Sequence, residues 1–271
     1  MQAQPHFTLW QLPSQIGSIG MSYIIRTDGG KVIVFDGGWV QESGYMRGFL
    51  AALGNEVDAW FMSHPHDDHA GVLMDILHDP RDIKIQTIYQ SSLDQEWYYT
   101  YESDYKDFSD SYYQAVHESN VQSIEVELGM NITIDGVLFE VLGIKNPELI
   151  DNPYNDQSIV VKVSDSTKSV LFLGDLGWDG GKKLLASNYA SKLNSDYVQM
   201  AHHGQNGVQE DFYQAVNPKY CLWPTPIWVW DNITEAGPHT GVLTTMQTRN
   251  WMNKLNIKEH YLSFNGLVRI D

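Results

Sequence analysis

The sequence predicts an α/β fold in which two β-rich halves pack face to face with helices outside, an αββα sandwich. Three observations carry this. Short apolar runs bounded by turn residues recur in both halves of the chain, helical periodicity returns between them, and a dense histidine–aspartate cluster directly follows one buried run.

In chain order, TLWQLP reads as a strand, and SYIIRT and KVIVFD as a hairpin turning at Asp28-Gly29-Gly30, closed by Gly37-Gly38. SGYMRGFLAAL has helical spacing and stops at Gly54, where a left-handed residue ends a helix without a Cβ clash. VDAWFMS is a short buried strand. From Ala70 to Leu77 the period is helical again, ending before Pro80. IKIQTIYQ is a strand, and residues 94–119, rich in tyrosine, form a helix or an ordered insertion. ITIDGVLFEVLG, SIVVKVSD and SVLFLGD read as three strands. A helix over 181–193 leads to the strand DYVQMA, which ends at His202-His203-Gly204. A short helix near 209–216, the strand KYCLWP, a long loop, a helix over 242–255 and the strands EHYLSF and LVRI complete the chain.

With 271 residues, 42% of them hydrophobic, the chain suits one domain over 1–271 with a sizeable core. No run approaches the roughly 20 apolar residues of a membrane span. The opening MQAQPHFTLW has no basic stretch followed by an apolar one, so no signal peptide is expected. A chain already cleaved would read the same, and the compartment stays open. The lone Cys221 excludes an internal disulfide framework and a Cys-rich zinc site, and its apolar neighbours predict an inert buried thiol. The formal charge of −17 disfavours nucleic acid as a partner, since no Lys/Arg-rich stripe is available to track phosphates. Acid and aromatic residues together favour a cationic ligand. Trp223, Trp228 and Trp230, with the tyrosines of 98–113, are the candidates for an aromatic cage.

The segment Ser63-His64-Pro65-His66-Asp67-Asp68-His69 brings three imidazoles and two carboxylates together at a strand's end. His64 and His66 point the same way while the chain is extended, and Asp68 and His69 swing toward a second point as it turns into a helix. Imidazole and carboxylate suit zinc, and also iron or manganese. This is a metal site.

His64, His66, Asp68 and His69 fill the pattern H-x-H-x-D-H, by which the sequence resembles the metallo-β-lactamase superfamily. The resemblance implies that Asp36, closing VFD, orders the metal loop and that Asp175, in Gly174-Asp175, bridges two divalent metal ions, zinc first with manganese or iron as alternatives. Between Ala70 and Gly174 only His78 and His117 occur, neither in the context of the further histidine of lactonases and true β-lactamases. The succession Asn155-Asp156-Gln157-Ser158, LFLGD, AHHG and Pro238-His239 instead looks like the hydrolase domain of the competence protein ComEC. Phosphorylcholine esterases of the cell wall are a related branch. Carried across, His202 or His203 completes the first metal with His64 and His66, and His239 the second with Asp68 and His69. His202 is preferred as the ligand because it continues the strand DYVQMA, which leaves His203 as proton donor. Asp68 is the residue that orients the nucleophile, and Asn155 and Ser158 brace the metal loop by hydrogen bonds. The implied reaction is phosphoester or phosphodiester hydrolysis by metal-activated water, on a small-molecule or cell-wall-type substrate. β-Lactam or other ester hydrolysis, and a metal-stabilised binding module, are the alternatives.

Overall fold

The computed structural model describes residues 4–271; the first three residues of the opening stretch lie outside it. The first half runs β1 (Phe7–Gln11), β2 (Ser22–Thr27), β3 (Val32–Asp36), α1 (Ser43–Leu53), β4 (Glu56–Val57), β5 (Ala59–Phe61), α2 (Asp67–His78), β6 (Lys84–Ile85), β7 (Thr87–Gln90), α3 (Gln95–Tyr101), α4 (Lys106–Glu118) and β8 (Gln122–Glu125). The second runs β9 (Asn131–Ile134), β10 (Val137–Gly143), β11 (Val160–Ser164), β12 (Ser169–Phe172), α5 (Trp178–Leu185), β13 (Tyr197–Gln199), α6 (Glu210–Val216), β14 (Tyr220–Trp223), α7 (Ile227–Trp230), α8 (Thr245–Lys254), β15 (Glu259–Leu262) and β16 (Val268–Ile270).

Two seven-stranded sheets result, ordered β16-β1-β2-β3-β5-β7-β8 and β15-β14-β13-β12-β11-β10-β9. Each begins as an antiparallel meander and continues as parallel strands from β3 and from β12 respectively. Parallel neighbours need a long crossover, and the helices between them supply it, which puts α1, α2 and α4 on one outer face and α5, α6 and α8 on the other. Strands covered on both faces are apolar throughout, and all five residues of β3 are buried. The expected αββα sandwich is the fold.

Between the sheets lies a core that includes Phe7, Tyr23, Phe35, Phe61, Phe139, Val161 and Phe172. Phe35 stacks on Phe172 of the opposite sheet with ring centroids 4.1 Å apart, and Phe61 stacks on Phe139 at 5.4 Å. These rings immediately precede the loops that carry Asp36, Ser63 and Gly174-Asp175, so they set the two halves in register just below the site.

Several elements depart from the sequence reading. VDAWFMS divides at Asp58, whose carboxylate accepts the Val32 N–H and pairs with Lys31, so β5 stays in the first seven-stranded sheet while β4 pairs with β6 in a separate two-stranded one. The run ITIDGVLFEVLG turns at Asp135-Gly136, both at positive φ, and forms the hairpin β9–β10. The helix expected over 181–193 starts earlier, at Trp178, and ends at Leu185. The Ser187 hydroxyl donates to the Leu184 carbonyl there, competing with continuation of the helix. Residues 94–119 form α3 and α4, joined by a short 3₁₀ turn.

Truncating Phe35 to alanine removes the ring that joins both sheets, and should cost about 3–5 kcal/mol by urea unfolding. A loss below about 1 kcal/mol would show that the inter-sheet stack is not what registers the halves.

Candidate metal centre

Four loops at the C-terminal ends of β3, β5, β12 and β13 converge in the seam between the sheets, where open α/β sheets place their ligands. The loop after β5 is extended through His66 and then enters α2, so Asp67 and Asp68 occupy the first turn. The helix N-terminus favours carboxylates at that point. Backbone bonds lock the loops together: Ile159 N–H donates to Ser63 O at 3.0 Å, and His202 N–H to Gly174 O at 3.1 Å. Gly174 has φ +55, and a Cβ on it would come within 2.8 Å of Ser63 Cβ and 2.9 Å of Ser158 Oγ. Only glycine lets the loop that carries Asp175 approach His64's supports so closely.

Asp36 organises one side. Its Oδ1 accepts the Ser63 N–H and its Oδ2 accepts the Ser63 hydroxyl and the His69 Nδ1–H, each at 2.7 Å. That leaves His69 Nε2 facing Asp175 Oδ2 at 3.2 Å and Asp68 Oδ2 at 3.7 Å. Because the Ser63 proton is committed to Asp36, its oxygen can only accept from His64 Nδ1–H, 3.0 Å away, which leaves His64 Nε2 bare beside His66 Nδ1 at 3.0 Å. Ser158 Oγ lies 3.3 Å from His64 Nδ1 and accepts the Asp175 N–H at 3.0 Å.

On the far side, His203 Nδ1–H donates to the Pro224 carbonyl at 2.9 Å, and its Nε2 faces Asp68 Oδ2 at 3.0 Å and Asp175 Oδ2 at 3.2 Å. Donor atoms of Asp68, His69, Asp175 and His203 all lie within 4.8 Å of one another, and all four residues are buried. His202 is partly exposed; its Nε2 is 3.8 Å from Asp175 Oδ2 and 3.5 Å from Asn155 Nδ2. Most of the buried side-chain nitrogens and oxygens without a hydrogen-bond partner among the described residues belong to this cluster. They are His66 Nε2, Asp68 Oδ2, His69 Nε2, Asn155 Oδ1, Asp175 Oδ1, His202 Nδ1 and His203 Nε2. Buried polar atoms left unpaired at this density are costly, and a cation is the partner that this set of imidazoles and carboxylates fits.

The charges follow the same logic. Burial opposes a charged His69, yet Asp175, Asp68 and Asp36 outweigh it and raise its pKa well above the imidazole range. Burial likewise opposes a charged His203, while Asp175 and Asp68 carry its pKa up to about 10. Asp68 and Asp175 stay ionised despite burial, because His69 and His203 hold both below the usual carboxylate range. His64 and His66, desolvated and beside other imidazoles, are pushed down, His66 to about 4.

The structure thus brings together Asp36, His64, His66, Asp68, His69, Asn155, Ser158, Asp175, His202 and His203. His203, expected as the proton donor, is the ring aimed at both Asp68 and Asp175, while the partly exposed His202 lies beside Asp175 and Asn155. Both residues adopt left-handed φ values (50° and 54°), so the strand's alternation has ended before them. His239 is exposed in the loop after α7, and its ring has no hydrogen bond or ion pair to the cluster. Its own N–H is tied to Asp231 O at 2.8 Å and Asn232 clasps the loop through Gly241 and Leu243, an arrangement that holds the segment to itself. The tryptophan cage is also absent. Trp223 is fully buried, Trp230 packs on it edge-to-face and is covered by Arg249, and only Trp228 is exposed. Cys221 is free and buried, and burial pushes its thiol up. Sequence reasoning missed Gln199, whose buried amide accepts Leu173 N–H and donates to Gly174 O. A polar residue inside the apolar run DYVQMA was its signal.

The superfamily model described as metallo-β-lactamase matches residues 16–214, most of the chain. The chain belongs to the metallo-β-lactamase superfamily. Solved structures of this fold include the metallo-β-lactamase fold protein YhfI from Bacillus subtilis (12% identity, TM-score 0.59, 98% of this chain and 100% of that one). Another is a diphosphatase of the PhnP family (13% identity, TM-score 0.54, 98% of each chain). A segment of 69 residues, 25% of this chain, is 38% identical to the uncharacterized protein YcaI of Escherichia coli strain K12, and spans only 9% of that protein. Superfamily members are mostly metal-dependent hydrolases, and the present chain carries a cluster suited to metal. Among the described residues no helix is long and apolar enough to cross a membrane.

At pH 7 the metal-free protein should hold protons on His69 and His203, since both pKa values are raised. A ligand nitrogen must be deprotonated, so zinc loading should release about two protons. Calorimetry in buffers of different ionisation enthalpy measures this. Release of none would mean that both rings are already neutral.

Proposed function

We propose that the chain is a dinuclear metal-dependent hydrolase of phosphoesters or phosphodiesters. The observation that carries the metal-dependent reading is the converging set of buried, unpaired donor atoms from both halves of the chain. His64, His66 and His202 would hold one divalent ion and Asp68, His69 and His203 the other, with Asp175 between them. His202 Nε2 lies 3.8 Å from Asp175 Oδ2, within reach of an ion held beside that carboxylate. Zinc is the first candidate, with manganese or iron as alternatives. Bound there, divalent ions would supply Lewis acidity toward a phosphoryl oxygen and lower the pKa of water to near neutrality.

The chain's own residues do the rest. Asp36 fixes the His69 tautomer, the Pro224 carbonyl fixes that of His203, and Ser63 and Ser158 do so for His64. Asp68, held at the start of α2 beside the ion pair position of Asp175, is placed to orient the attacking water. Asn155 and Ser158 brace the His202 and Asp175 loops.

Phosphoester chemistry is favoured over β-lactam hydrolysis because His78 and His117 are both exposed at helix ends, so neither supplies the intermediate histidine. The motif order from Asn155 to His203 also resembles that of the ComEC hydrolase domain and the phosphorylcholine esterases, and a protein of the same fold is a diphosphatase. A net charge of −17 weighs against a nucleic-acid substrate and for a small or cell-wall-type one.

Elemental analysis beside turnover of bis-p-nitrophenyl phosphate tests this reading. The wild type should carry about two metals and lose turnover to chelator, and Asp175→Ala should lose metal and on the order of 100-fold or more in kcat/KM. Nitrocefin turnover without phosphodiester turnover would point to a lactamase. Silence on every ester with metal retained would point to a binding module.

A further inference from the structure

The tyrosine-rich segment forms a wall of the metal centre, and one residue of it reaches the donors. The Tyr105 ring lies on His66 with centroids 4.4 Å apart and planes inclined by 41°. Tyr154 packs against the same imidazole, edge-on at 5.2 Å. Neither ring is placed loosely. The Ser109 hydroxyl donates to the Tyr105 carbonyl at 2.9 Å and, by accepting from the Tyr154 hydroxyl, joins the two tyrosines. Glu102 accepts the Tyr154 N–H at 2.7 Å, which ties the end of α3 to the loop that precedes Asn155.

The two hydroxyls differ. That of Tyr154 is buried and spent on Ser109, whereas Tyr105 is half-buried and its hydroxyl has no hydrogen-bond partner among the described residues. A phenol is a neutral hydrogen-bond donor at neutral pH. A donor with no partner among the described residues, on a ring packed against a metal-type ligand, is free to bond a molecule bound beside His66.

We infer that Tyr105 contacts the substrate, its hydroxyl donating a hydrogen bond to a non-bridging phosphoryl oxygen of a phosphoester bound on the His64–His66 side of the centre. The inference rests on the phosphoester reading above and adds the role of the α3–α4 segment: it presents one donor and closes that side of the site. The ring's packing on His66 is a separate matter and survives loss of the hydroxyl.

Tyr105→Phe keeps the ring and deletes only the hydroxyl. In zinc-loaded protein, inorganic phosphate should bind about 3–10-fold more weakly by calorimetry. The kcat for bis-p-nitrophenyl phosphate should fall at least about 10-fold, with zinc content and thermal midpoint as in the wild type. Tyr99→Phe, which removes a hydroxyl bonded to Asp110 on the outer side of α3, should change neither quantity. Phosphate affinity and turnover both unchanged in Tyr105→Phe would overturn the inference, as would a wild type that binds no phosphate. Weaker phosphate binding in Tyr105→Phe, with no phosphodiester cleaved even by the wild type, would uphold the contact and sink the phosphoesterase reading instead.

Discussion

Burial of three carboxylates in one seam is the constraint on which the rest of this structure depends. Asp36, Asp68 and Asp175 are each nearly inaccessible, and an uncompensated buried charge costs several kcal/mol. Compensation comes from imidazoles that belong to both halves of the chain, His69 from the first and His203 from the second. The seam therefore exists only if the two sheets meet in one register. The aromatic stack from Phe35 to Phe172 supplies that register a residue or two below the charged loops. With no metal bound, the raised pKa values of His69 and His203 favour protons that offset the carboxylates. Divalent cations would take over the same electrostatic role with better geometry and add chemistry that protons cannot.

The balance also explains the strained backbone. Asp36, His202 and His203 all have positive φ, which is uncommon for residues with a Cβ. Such strain persists where surrounding bonds over-determine it, and here every one of these residues is held by the site's own hydrogen bonds or by its neighbours. The overall charge plays a different part. At −17 the long-range field does not steer an anionic phosphoester inward, so recognition would have to come from contacts within the seam.

Most of the architecture was legible because strands buried on both faces leave apolar runs and the crossovers between them keep a helical period. The cluster from His64 to His69 was legible for a different reason: such residue types have no place at a buried strand's end unless they bind something. What escaped the sequence depended on turns and on tertiary cover. Two consecutive left-handed histidines, which a strand pattern cannot place, aim His203 at the buried carboxylates and leave His202 partly exposed. Asp58 divides one apolar run between two sheets by bonding Val32 across the chain. Trp223 and Trp230 read as a cage from the sequence, but Trp223 is buried in the second sheet under its helices and Arg249 covers Trp230. Tyr105 was one tyrosine among many until the fold set it against His66.

The most direct test of the account is anomalous scattering from crystals of the zinc-loaded protein. It predicts two peaks flanking Asp175, one at about 2.0–2.1 Å from nitrogens of His64, His66 and His202, the other at that distance from His69 and His203, with Asp68 beside it. A single peak, or a second ion held by His239 in place of His203, would contradict it.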